Sequence, residues 1–146
     1  MNIEPIHHVP LVPEYNSPFS AAYAVEGSRL LFLSGAACIP PYHKHPHDPE
    51  EEAQWLTGDF RKQAEDTFKH IEQVLVADGA TLRDIVKMTI YFTDVMAQQN
   101  IFNEVSNRIF GTENPPARTS VGVASLAHPG MLIEVDVIAA IPKKNK

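Results

Sequence analysis

The stretch Asn114-Pro-Pro-Ala-Arg-Thr-Ser-Val-Gly-Val-Ala-Ser-Leu-Ala-His-Pro-Gly-Met-Leu-Ile-Glu-Val-Asp-Val-Ile-Ala-Ala140 decides how this chain reads. Pro115 and Pro116 fix the backbone ahead of Arg118, so the arginine leaves a stiff turn rather than a floppy loop. Val121 and Val123 alternate with small residues, as in a strand with one buried face. His128-Pro-Gly reads as a turn and Met131 to Ile141 as a second, more apolar strand, the two forming a hairpin. Glu134 and Asp136 interrupt that apolar run. A carboxylate among Leu132, Ile133, Val135, Val137 and Ile138 is costly to bury unless it is paired or used. The two acids also share parity, so a solvated strand face would accommodate both.

With 146 residues the chain fits one domain, residues 1–146, with a real core. Hydrophobic residues at 44% and charged ones at 21% place it among soluble globular proteins. A net charge of −6 argues against a nucleic-acid surface. No apolar run approaches the roughly 20 residues that span a bilayer, so no membrane partner is expected. The N-terminus, Met1 to His8, has neither the basic nor the apolar region of a signal peptide, and a cytoplasmic location is the expectation. Cys38 is the only cysteine, which excludes an internal disulfide framework.

Upstream, residues 1–18 hold four prolines and read as an irregular or edge segment. Ser20 to Val25 and Arg29 to Ser34 read as strands joined by a hairpin-like turn at Glu26-Gly27-Ser28. Residues 39–57 combine prolines, three histidines and the acidic run Glu50 to Glu52; proline at this density reads as a long loop. A helix follows from roughly Gly58 to Asp78, with Phe60, Ala64, Phe68, Ile71, Val74 and Leu75 as its core stripe. Thr57 or Asp59 suits its start, and Gly79 its end. Ile85 to Asp94 reads as a strand. A second helix, about Ala97 to Phe110, places Ile101, Phe102, Val105 and Ile109 on one side and stops at Gly111. This order predicts an α+β domain, a mostly antiparallel sheet with two helices on one face.

Several blocks together resemble the RidA/YjgF family of enamine and imine deaminases. They are Pro116-Ala117-Arg118, Ile133 to Ala139, Leu31 to Gly35, Gly58-Asp59 with Gln63, and Ile85 to Asp94. The resemblance runs from about Ser17 to Ile141, with a turn at His128-Pro-Gly about one residue longer than the family's. It implies the chorismate-mutase-like fold (bacillar type) and a homotrimer with sites between subunits. The implied activity is cofactor-independent hydrolysis of a carboxylate-bearing enamine or imine to a keto acid and ammonia.

The resemblance also implies residue roles. Arg118 would bind the substrate carboxylate, which its planar fork matches with two parallel hydrogen bonds. Glu134 would position water and shuttle protons, and partial burial would raise its pKa toward a useful range. Ser120 stands where many relatives carry cysteine, which argues against thiol chemistry, although its backbone N–H could hold an oxygen. Asn103 falls on an asparagine that lines the family pocket. Phe19 replaces a pocket tyrosine, Tyr23 could substitute only if its segment bulges, and Ala36 replaces a glutamine. These departures favour a specialised substrate, as in aminomuconate-type deaminases of aromatic degradation. The alternative is a non-catalytic trimer that keeps the clefts and binds a small metabolite; loss of the tyrosine hydroxyl favours it, and retention of Arg118 and Glu134 counts against it. Apart from the resemblance, Arg118 reads as a surface salt-bridge residue and Glu134 as half of a cross-strand salt bridge. Cys38 reads as a small buried hydrophobe. His43, His45 and His47 are of a type that gathers metals. Flanking prolines should nevertheless splay this loop, so it reads as a polar lid and no metal is assigned.

Overall fold

Glu134 lies on β6 (Ile133–Pro142), an inner strand of a four-stranded sheet in the computed structural model, which describes residues 1–15 and 17–144. Asn16 and the last two residues of the basic C-terminal end lie outside the described residues. Across the sheet the order is β3 (Ser28–Phe32), β6, β4 (Ile85–Phe92), β5 (Ala117–Gly122). β6 runs antiparallel to both neighbours, and β4 and β5 are parallel. Along β6, Ile133, Val135, Val137 and Ala139 are buried while Glu134, Asp136 and Ile138 are half-exposed, the period-two alternation of a sheet covered on one face.

The expected β5–β6 hairpin does not form. β4 lies between the two strands, and the chain over 123–132 crosses past it, with the Val123 N–H bonding the Phe92 carbonyl. The reason is apolar content: Met88, Ile90 and Phe92 of β4 are fully buried, so β4 occupies the inner position and β5, which has no fully buried residue, takes the edge. The hairpin between the first two predicted strands is absent as well. β2 (Ala22–Glu26) pairs with β1 (Asn2–Ile6) in a separate two-stranded sheet, and Gly27, at φ +61°, redirects the chain into β3. The proline-rich N-terminus is thus in part an edge strand.

Three α-helices are present among the described residues rather than two. α1 (Pro49–Trp55) lies inside the stretch read as a loop. Asp48 caps it by accepting from the Glu50 N–H, Pro49 takes the first turn where its missing N–H costs nothing, and three glutamates favour the N-terminal end of the helix dipole. α2 (Phe60–Val76) begins after Asp59, whose carboxylate accepts from the Lys62 N–H, and is followed by Gly79 at φ +80°. α3 (Val95–Phe110) ends at Gly111, at φ +71°. Phe68 of α2, Phe102 and Phe110 of α3 and Phe92 of β4 meet with ring centroids 5.5–5.8 Å apart. Val74, expected in the core stripe, is 43% exposed.

Candidate active site

Arg118 projects from β5 toward the helices. It is level with Met88 on β4, and its guanidinium carbon sits 5.2 Å from the centroid of Phe102. Its Nη2 donates to Asn103 Oδ1 at 2.6 Å, while Nη1 is buried and has no partner among the described residues. Burial lowers the arginine's pKa, yet an arginine stays charged at any physiological pH. A cation held on an aromatic face, with one arm fixed and another donor unsatisfied, is arranged to receive an anion.

Ser120 lies two residues on, with the same parity. The Val123 N–H points at β4, so alternation along the strand turns the N–H groups of Arg118 and Ser120 outward to the free edge of β5. The Pro116 carbonyl confirms that direction by accepting from the Ser20 N–H at 3.3 Å. The Ser20 hydroxyl donates to the Pro115 carbonyl at 2.6 Å, fixing the segment that carries Phe19 alongside this approach to β5. Phe19 itself is 44% exposed. The Tyr23 hydroxyl donates to the Asn114 and Pro115 carbonyls at 2.7 and 3.1 Å, so it is committed to holding the proline turn.

Glu134 is elsewhere. It pairs with Tyr91 on the sheet face away from the helices, whereas Arg118 is on the helix side, so one chain does not bring the two together. Burial first and Asp136 second raise the Glu134 carboxyl above its ordinary value. Asp136 accepts from the Tyr91 hydroxyl at 3.0 Å, an interaction that raises the tyrosine's pKa; Glu134 has no side-chain partner among the described residues. Gly35 is what leaves room for it: a Cβ there would sit 2.9 Å from Glu134 Cδ. Ala36 bridges to Val135 through paired backbone bonds of 2.8 and 2.9 Å and is buried, so the position read as a missing glutamine is core here.

For one residue named in the sequence the role was missed, and one segment was misread. Gln63 is fully buried; its amide nitrogen donates to the Thr57 and Gly130 carbonyls at 2.6 and 3.0 Å, and its oxygen accepts from the Leu132 N–H at 2.9 Å. The polar residue on an apolar helix stripe was the available signal. The histidine loop is not splayed: His43, His45 and His47 stand together with ring centroids 4.7–5.0 Å apart. A groove of about 780 Å³ runs between β3 and α2, walled by Ser34 to Ala36 and by Pro40 to Tyr42; neither Arg118, Asn103 nor Ser120 lines it. No described helix is long and apolar enough to cross a membrane.

An α+β domain with a half-buried arginine over an aromatic ring on an edge strand, and on the opposite sheet face an acid with no side-chain partner among the described residues, matches known proteins over most of its length. The family model described as Endoribonuclease L-PSP matches residues 12–141. Protein DfrA of Myxococcus xanthus is 34% identical over 132 residues, covering 90% of this chain and 92% of that protein. The 2-iminobutanoate/2-iminopropanoate deaminase of Dermatophagoides farinae is 28% identical, covering 97% of this chain and 99% of its own. The crystal structure of YyfB from Yersinia pestis, a Rid-family protein of unknown function, superposes with a TM-score of 0.78 at 22% identity, covering 97% of this chain and all of that one. The chain belongs to the RidA/YjgF family.

Proposed function

We propose that this protein hydrolyses a carboxylate-bearing enamine or imine to a keto acid and ammonia, without a cofactor, in clefts between the subunits of a homotrimer. The observation that carries this reading is the Arg118 guanidinium, stacked on Phe102, bonded to Asn103 and left with an unsatisfied buried donor beside the free edge of β5. The carboxylate engages the guanidinium and the Ser120 N–H, with Phe19 packing against the remainder. Glu134, pushed toward its protonated form, passes a proton to the substrate nitrogen and draws one from the attacking water. Glu134, reprotonated by the water, then protonates the amino group of the tetrahedral intermediate; ammonia leaves as the carbon collapses to the carbonyl, and the hydroxyl proton returns to Glu134.

A site containing both residues requires a second copy, because they occupy opposite sheet faces. Support for assembly comes from the face that bears Glu134, where Phe32 and Leu30 stand 73% and 46% exposed beside Ile138 and Ala140. The named activity of the mite relative supports the reaction class. A ribonuclease, by contrast, must neutralise successive phosphates, to which a chain of net charge −6 is poorly matched.

The test generates 2-iminopropanoate in situ with an amino-acid oxidase and follows its decay. Acceleration by the wild type that Arg118→Ala abolishes, with the oligomer intact by sedimentation, is the expected result. Binding of keto acids without acceleration of any imine would replace the enzyme by a metabolite-binding protein.

A further inference from the structure

The three loop histidines lie outside the site just described, between the groove wall at Pro40 to Tyr42 and the start of α1. One nitrogen from each lies within 4.8 Å of the others. Two of the rings are oriented by neighbours. His43 Nδ1 lies 2.9 Å from the Pro40 carbonyl oxygen, which only accepts, so Nδ1 carries the hydrogen and Nε2 a lone pair. His47 Nδ1 faces the Glu52 carboxylate, so the neutral ring presents a lone pair at Nε2 and the protonated ring an N–H. These two Nε2 atoms are 3.2 Å apart. Two ring nitrogens at that distance need either a hydrogen or a metal ion between them.

The spacing is that of a metal edge. Two nitrogens bound at about 2.0–2.1 Å to a tetrahedral ion are about 3.3 Å apart. His45 supplies a third imidazole, with centroids 4.7 Å from His43 and 4.9 Å from His47, and one coordination position remains. The surroundings have the build of an orienting shell. The Glu52 side chain is only 14% exposed, and its second oxygen lies 3.4 Å from His128 Nε2. His128 Nδ1 in turn accepts from the Gly130 N–H at 3.1 Å, so His128 presents its own N–H to Glu52. Carboxylate–imidazole pairs of this kind fix ligand orientation and increase basicity at metal centres.

We infer that His43, His45 and His47 bind a divalent transition-metal ion of the zinc class, with Glu52 and the Pro40 carbonyl orienting two of the ligands. The ion ties the loop to the β5–β6 connection through His47, Glu52 and His128, and so fixes the wall of the groove between β3 and α2. Alternating histidines on a loop lack the helical scaffold of common zinc motifs; here the scaffold is the carboxylate on α1 and a backbone carbonyl.

The experiment uses the full chain without a polyhistidine tag, stripped with a chelator and titrated with Zn²⁺ against a chromophoric competitor. The expected result is one equivalent per chain and a rise in melting temperature on loading. His43→Ala and His47→Ala should each weaken binding by at least about tenfold, and Glu52→Gln by about 10–100-fold, as loss of an orienting partner does. Co²⁺ should give the visible absorption of a four-coordinate ion, and His7→Ala/His8→Ala should change nothing. No stoichiometric uptake, uptake that survives His43→Ala with His47→Ala, or uptake lost in His7→Ala/His8→Ala would each overturn the inference. None of these readouts depends on deaminase activity.

Discussion

Burial and the neighbouring Asp136 raise the Glu134 carboxyl in the folded chain from an ordinary value of 4.5. Between that value and the raised one the native state holds more protons than the unfolded state, so stability falls as pH rises through this window. Glu134→Gln removes the cost of the buried charge. At pH 7 the variant should melt above the wild type, the gain vanishing below about pH 4, where both states are protonated. Turnover should fall by about 10²–10⁴, the contribution of a positioned acid–base group. A lower melting temperature at pH 7 would mean that the carboxylate is paired in the assembly. Gly35→Ala probes the same carboxylate from outside: its methyl meets Glu134 Cδ at 2.9 Å and displaces it. Here kcat should drop at least about tenfold with little change in melting temperature. Cys38 supplies a contrasting case. It is fully buried, and desolvation pushes its thiol up to about 11, so only about one part in ten thousand is thiolate at pH 7. An aromatic disulfide reagent should label it only as fast as the chain opens, which a comparison of native and urea-unfolded protein will show.

At the scale of elements, what could be read in the sequence was set by local chemistry. α2 and α3 were legible because Asp59, Gly79 and Gly111 are caps whose action needs no distant partner. α1 was hidden because proline was read as a terminator, when Pro49 after Asp48 is an initiator. From β2 onward strand existence was legible and strand neighbours were not: period-two patterning says which face is buried, not which strand lies alongside; β1 fell in a segment read as irregular or edge. The β4 intrusion between β5 and β6 therefore had no local signal. Parity likewise placed Glu134 and Asp136 on one face, but only pairing through β4 reveals that Arg118 is on the other. Gln63 belongs to this scale, since two hydrogen bonds clip α2 to the β5–β6 connection and a third holds the Thr57 carbonyl ahead of α2. Gln63→Leu keeps the volume and strands the Leu132 N–H and two carbonyls. It should cost about 1–3 kcal/mol in urea denaturation, the range for a buried group left unpaired. A cost near zero would mean that water replaces the amide.

For the whole molecule, the separation of Arg118 and Glu134 on opposite sheet faces makes oligomeric state and catalysis one question. If each cleft takes its arginine from one subunit and its glutamate from the next, Arg118→Ala and Glu134→Gln are each inactive alone. Co-expressed, they complement: a cleft formed by the arginine of a Glu134→Gln chain and the glutamate of an Arg118→Ala chain is wild type. Random assortment in a ring makes about a quarter of the clefts complete, so the mixed preparation should recover about that share of wild-type turnover. Separately purified variants mixed without subunit exchange should recover none. A mixture as inactive as its parents, with mixed oligomers demonstrated by mass, would place both residues in one chain's cleft and require a large rearrangement of β5 against β6. That outcome would contradict the register of the sheet, in which β4 holds the two strands apart from Lys87 to Phe92.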